Sequence, residues 1–264
     1  MLRILSHMVL LLILTSGCYE PVEGCLDVDA KNYNVTADNE CPSCCELPEV
    51  KISITFRYLG ESFNLGDTLP LGENEVIIED FHIFLSDLEL EDDMGNLIYL
   101  EDSLMINPSN QESFFIKDNF RYFDRARFSA DLSGKRYVGK VGKLNLKLGI
   151  PESINKYDID SIRINSDIGT IPNDAYSDED GFIFLGMQLN FQALGIQNLS
   201  LIENYPLSSA SVELINIESF RAKDLDISLI FDIGTALEGI NPIESENKNI
   251  LVLLENIGNA FTQN

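Results

Sequence analysis

Leu225-Asp226-Ile227-Ser228-Leu229-Ile230-Phe231-Asp232-Ile233 alternates, almost without a break, between large apolar side chains and short or polar ones. A β-strand turns successive side chains to opposite faces, so this spacing lays Leu225, Ile227, Leu229, Phe231 and Ile233 along one face. A helix would scatter the same residues round its circumference. The period recurs in Ile52, Ile54 and Phe56, in Leu144, Leu146, Leu148 and Ile150, and in Ile183, Leu185, Met187, Leu189 and Phe191. Turn-forming clusters separate the runs: Asp92-Asp93-Met94-Gly95-Asn96, Asn107-Pro108-Ser109-Asn110 and Ser177-Asp178-Glu179-Asp180-Gly181. From Glu49 onward the pattern predicts an all-β fold, a β-sandwich of mostly antiparallel strands. Short helices are expected at 192–204 and 234–240. No second boundary is visible after Pro48, so 49–264 reads as one domain.

The other end of the chain reads differently. Arg3, the apolar run Met8 to Leu14 and the small residues Ser16-Gly17 before Cys18 have the layout of an exported lipoprotein's signal. The run is too short for a stable membrane-spanning helix. Residues 1–17 are therefore expected to be a signal peptide, and Cys18 the lipidated residue that ties the protein to a membrane. Acyl carbons buried in the bilayer contribute about 0.8 kcal/mol each, enough to hold a soluble body there. The expected location is the cell envelope, as an outer-membrane lipoprotein on its periplasmic or outer face.

A hydrophobic fraction of 45% supports a packed core, and a formal charge of −25 makes the surface strongly acidic. Such a surface repels nucleic acid, which is excluded as a partner. Lys135, Arg136, Lys140, Lys143 and Lys147 form the one basic stretch. They could dock an acidic envelope component, or balance acid on the same sheet.

Cys25, Cys41, Cys44 and Cys45 cluster ahead of the sandwich, and no cysteine follows them. An even number in a short exported segment reads as a disulfide framework. Residues 18–48 are thus expected to be a small disulfide-bounded stalk. Three pairings are possible, and Cys25–Cys41 with one further link is favoured. A zinc or copper thiolate site at Cys41-Pro42-Ser43-Cys44 is the rival reading. Asp27, Asp29, Asn32, Asn34 and Asp38 suit turns, or less readily a calcium ion. The run Gly24-Cys25-Leu26-Asp27, with Ala30, Asn32-Tyr33, Ala37 and Cys41, resembles a cysteine-bounded repeat of exported Bacteroidetes proteins.

Asp80-Phe81-His82-Ile83-Phe84-Leu85-Ser86-Asp87-Leu88-Glu89-Leu90 resembles a signature strand of the MbnP-like copper-binding proteins. These are exported β proteins linked in some bacteria to methanobactin and copper handling. Ile52 to Phe56 with Gly60 resembles the family's first strand and turn. Leu146 to Asn155 resembles its G-V-P-x-x-x-N segment, and Gly181 to Leu185 its G-Y-x-F strand. The resemblance implies an exported β-sandwich that binds copper. The chain departs from the pattern where the ligands would stand. Lys156 replaces a histidine, Leu65 replaces a cysteine, and Tyr176 to Asp180 stands where tryptophans occur in a chain that has none.

His82 is the only histidine after the signal and the one weak candidate for a metal. A lone strand histidine is more often an ordinary side chain than a ligand. Met94, Met105 and Met187 assemble no site, and Asp158, Asp160, Asp178, Glu179 and Asp180 read as a solvated loop. No catalytic residues are expected. A nucleophilic triad needs a histidine near its serine or cysteine. Gly139-Lys140-Val141-Gly142-Lys143 lacks the rest of a phosphate loop, and a carboxylate-pair hydrolase has only composition behind it. The sequence thus predicts a non-enzymatic binding protein, with copper implied by resemblance. Its alternative is a metal-free module for an envelope glycan or protein.

Overall fold

The alternating runs pair as strands in the computed structural model. It describes residues 19–100, 103–106, 112–117, 120–132, 137–155, 157, 172, 175–179, 181–191, 194–202 and 209–264. Residues 1–18, and so the expected signal and Cys18, lie outside these, as do Lys135, Arg136, Lys156, Asp158, Asp160 and Asp180. The chain divides into two compact units, Met1–Glu46 and Leu47–Asn264. No helix among the described residues is long and apolar enough to cross a membrane.

The first unit carries β1 (Glu23–Gly24) and β2 (Asn39–Glu40), a short parallel pair. Side chains close its turns. Asp27 Oδ1 accepts the Asp29 N–H, Asn34 Oδ1 accepts the Thr36 N–H, and Asp38 Oδ2 accepts the Val22 N–H. Tyr19 hydrogen-bonds Asp38 and holds its carboxyl below the usual range. These residues act as turn formers, the first of the two readings of their pattern. The favoured Cys25–Cys41 pairing is corrected to Cys25–Cys45. Asn32 provides the reason. Its amide donates to the Cys44 carbonyl and its oxygen accepts the Glu46 N–H, at 2.6 and 2.9 Å. That clamp folds the segment after Cys44 back over the module and delivers Cys45 to the buried Cys25.

The second unit holds β3 (Val50–Arg57), β4 (Thr68–Leu71), β5 (Asn74–Asp92), β6 (Leu97–Tyr99), β7 (Ser103–Ile106) and β8 (Phe114–Lys117). Further along come β9 (Arg121–Asp124), β10 (Ser129–Leu132), β11 (Gly139–Leu148), β12 (Tyr176–Ser177) and β13 (Gly181–Phe182). The last strands are β14 (Leu185–Phe191), β15 (Gly195–Leu201), β16 (Ser209–Ser219), β17 (Leu225–Asp232) and β18 (Phe261–Gln263). One sheet runs β10-β3-β17-β18, and the larger runs β15-β14-β5-β11-β16 with β4, β6 and β9 also on β5. Phe56 of the first sheet meets Phe81 of the second edge to face at 4.6 Å, so the two pack over one core. Val50, Ile52, Ile54 and Phe56 face inward beside Leu225, Ile227, Leu229 and Phe231. The β-sandwich is mostly antiparallel, as its pattern predicts, with β3 and β17 running parallel through its centre.

Two helical expectations change. The expected helix at 192–204 contains β15, which pairs with β14 over its whole length. Leu199 and Leu201 are buried on one face there, a strand period. At 234–240 the helix is a single turn, Ile233–Ala236, capped by Asp232. The long helix Glu246–Ala260 is unforeseen. Its Ile250, Leu253, Ile257 and Ala260 are buried at helical spacing.

Strand β5 positions the functional face. Phe81, Ile83 and Leu85 point into the core, while His82 and Phe84 point to the opposite face and are buried there too. Phe84 lies among Phe120, Tyr122 and Phe182 at 6.3, 5.1 and 5.8 Å. A second aromatic layer therefore covers this stretch of the larger sheet. At Asp87 the backbone takes φ 47°, the registers slip, and Leu88 and Leu90 become buried in turn.

Candidate polar cleft beside His82

The aromatic layer gives way to a polar cleft over β5, β14 and β15. Two cross-strand rows form its floor. His82 stands opposite Gly186, and Gly186 opposite Ser200. Asp80 stands opposite Gln188, and Gln188 opposite Asn198. Directly opposed residues share a face of a sheet, so β-pairing alone brings these groups together. They line a cleft of about 400 Å³ with Ile183 and Met187 at its edge. Gln188 Nε2 donates to Asn198 Oδ1 at 3.2 Å, which orients both amides.

His82 is only 5% exposed. Its ring stacks on Tyr122 at 5.7 Å and meets Phe84 edge-on, and the Arg127 guanidinium lies over the Tyr122 ring at 5.2 Å. His82 Nε2 lies 3.1 Å from the Ile183 carbonyl. A carbonyl can only accept, so that nitrogen carries the proton. Gly186 makes the arrangement possible. A Cβ there would stand 2.4 Å from His82 Cε1, so only a glycine lets the ring lie flat across β14. Asp124, on the other flank of His82, turns its Oδ1 to the Ala126 and Arg127 N–H groups and closes its own turn.

Among the other described candidate residues, Met187 alone reaches this cleft. Met187 lines its edge as a core side chain, and Met94 is exposed on a turn. Asp178 and Glu179 are exposed. The described lysines of the basic stretch are balanced by neighbouring acid. Lys147 pairs with Asp87 at 2.6 Å, Lys143 lies between Glu91 and Glu213 at 3.7 and 3.5 Å, and Lys140 stands opposite Glu218.

Copper, implied by sequence resemblance, can be tested against these donors. No group of three His, Cys, Asp or Glu side chains converges among the described residues. The one histidine near the cleft presents a protonated nitrogen to a carbonyl. Such an imidazole can still ligate through its other ring nitrogen, but copper needs further imidazole or sulfur donors, and among the described residues no set of three such side chains forms around His82. Gly186, Gln188, Asn198 and Ser200 were invisible as site residues in the sequence. The available signal was Gly186, a glycine inside a strand of large side chains, which marks a close approach.

The chain matches no protein-family model and no curated protein. Among solved structures, MbnP from Methylosinus trichosporium is similar, with a TM-score of 0.42 and 10% identity over 72% of this chain and 76% of that one. A likeness at that level carries no argument about function.

Proposed function

We propose that the chain is a non-catalytic binding protein of the cell envelope, held by a lipid on Cys18, that takes an uncharged, hydroxyl-rich ligand of the glycan class. The observation that carries this reading is the cleft itself. Two side-chain amides, a hydroxyl, a carboxylate and an imidazole gather on rigid strands in one depression. Amides and hydroxyls both donate and accept, which suits sugar hydroxyl groups that do the same. The formal charge of −25 argues against an anionic ligand.

Copper handling is the rival reading and rests on the resemblance of the sequence segments. Titration of the purified protein with a panel of neutral oligosaccharides and with copper separates the two. Binding of a sugar that the paired substitutions Gln188→Ala and Asn198→Ala abolish supports the cleft. Copper binding tighter than to an unrelated acidic protein, lost in His82→Ala, with no sugar bound, would replace it.

A further inference from the structure

The sulfur cluster of the N-terminal unit has no part in the cleft. Cys41 and Cys44 are free thiols beside the Cys25–Cys45 bridge. Cys41 precedes the tight turn Pro42–Cys44 and Cys44 ends it, and the Cys44 N–H donates to the Cys41 carbonyl at 3.1 Å. An i to i+3 hydrogen bond of this kind holds the two Cα atoms within about 7 Å, which is disulfide range. The Cys44 thiol also donates to that carbonyl, at 2.9 Å, and the bridged Cys45 sulfur lies 3.7 Å from the same oxygen. A hydrogen bond to the Cys41 side chain, with burial and the Cys41 charge, holds the Cys44 thiol above its ordinary pKa. Cys44 is exposed, which opens the pair to reagents in solution.

We propose that Cys41 and Cys44 form a dithiol that closes to a second disulfide on oxidation by a small-molecule disulfide. One thiolate attacks the oxidant and expels one thiol, leaving a mixed disulfide on the protein. The second thiolate attacks the protein-bound sulfur and expels the other thiol. Two electrons pass from the cysteine pair to the oxidant, and the two protons leave with the released thiols. Closure removes the free thiols nearest to Cys25–Cys45 and so shields that bridge from exchange.

The probe is oxidised glutathione acting on the full chain after mild reduction. Free thiols are then alkylated, and peptides are mapped by mass spectrometry. The expected result is that Cys41 and Cys44 take the alkylating label before oxidation and none after it. They end linked to each other and carry no glutathione. Cys44→Ser should then retain a stable glutathione adduct on Cys41, because nothing resolves the mixed disulfide. Protein that carries the Cys41–Cys44 link as isolated supports the proposal equally. Undiminished labelling after oxidation, lasting adducts on the wild-type chain, or Cys25 linked to Cys41 or Cys44 would overturn it.

Discussion

The imidazole of His82 occupies the space that any side chain at Gly186 would need, with the missing Cβ only 2.4 Å from His82 Cε1. The two residues face each other across β5 and β14, so neither can move without breaking register. Gly186→Ala should therefore lift the ring off the strand and cost about 1–3 kcal/mol, the usual range for overpacking. Adding His82→Ala should return a large part of that loss, because the clash goes with the ring. Urea unfolding of the two single variants and the double variant checks this, and additive losses would show that the pair is not coupled.

Tyr58 links stability to alkaline pH. Its hydroxyl donates to the Pro70 carbonyl at 2.5 Å. Burial, helped by the Asp232 charge, pushes its pKa up to about 12 from an ordinary 10.0. The folded state thus keeps a proton that the unfolded chain gives up near pH 10. Stability from this group is whole below pH 10 and declines as pH rises toward about 12. Tyr58→Phe should lose about 1 kcal/mol at neutral pH, the net worth of one hydrogen bond, and show a shallower alkaline decline. Denaturant melts from pH 8 to 12 read both effects.

The strands were legible because a buried face imposes period two on side chains whatever their partners, as in β3, β11, β14 and β17. The parallel neighbour of β3 was not legible, since pairing direction leaves no mark on that period. The sequence of β15 reads as helix because its outward face carries Ile196 as well as polar residues, which blurs the alternation. Of the cleft, only His82 stood out by residue type. Gln188, Asn198 and Ser200 became neighbours through register, a long-range property that a single sequence does not print. The cysteine pairing failed for a similar reason. A side-chain clamp at Asn32, and no spacing rule, chose Cys45.

Asp232 joins the end of β17 to the turn that follows β3. Its Oδ1 accepts the Leu59 and Thr235 N–H groups at 2.9 and 3.0 Å, and Oδ2 accepts that of Gly60. Leu59 sits at φ 49°, a conformation disfavoured for a branched residue, and these bonds help hold it there. Asp232→Ala should cost about 2 kcal/mol, the upper end for losing a capping side chain. Asp232→Asn should lose less, because one of its oxygens remains an acceptor. Hydrogen exchange should show faster loss of protection at Leu59 and Gly60 than at residues in the middle of β17.

The N-terminal unit depends on covalent closure in a way that the sandwich does not. Cys25 and Cys45 are separated by 20 residues. The regular structure of the unit's described residues is one two-residue strand pair and one tight turn, so little apolar surface opposes unfolding. A bridge of this span stabilises by about 3 kcal/mol in the chain-entropy picture. Cys25→Ser, or strong reduction, should melt 19–46 and leave the core around Phe56, Phe81 and Phe231 intact. Calorimetry with and without reductant should then show the main unfolding transition unmoved. Amide exchange should show protection lost at the Asn34 and Cys41 N–H groups, which donate to the Cys25 and Gly24 carbonyls. If the main transition shifts down with the bridge, the two units do not unfold independently.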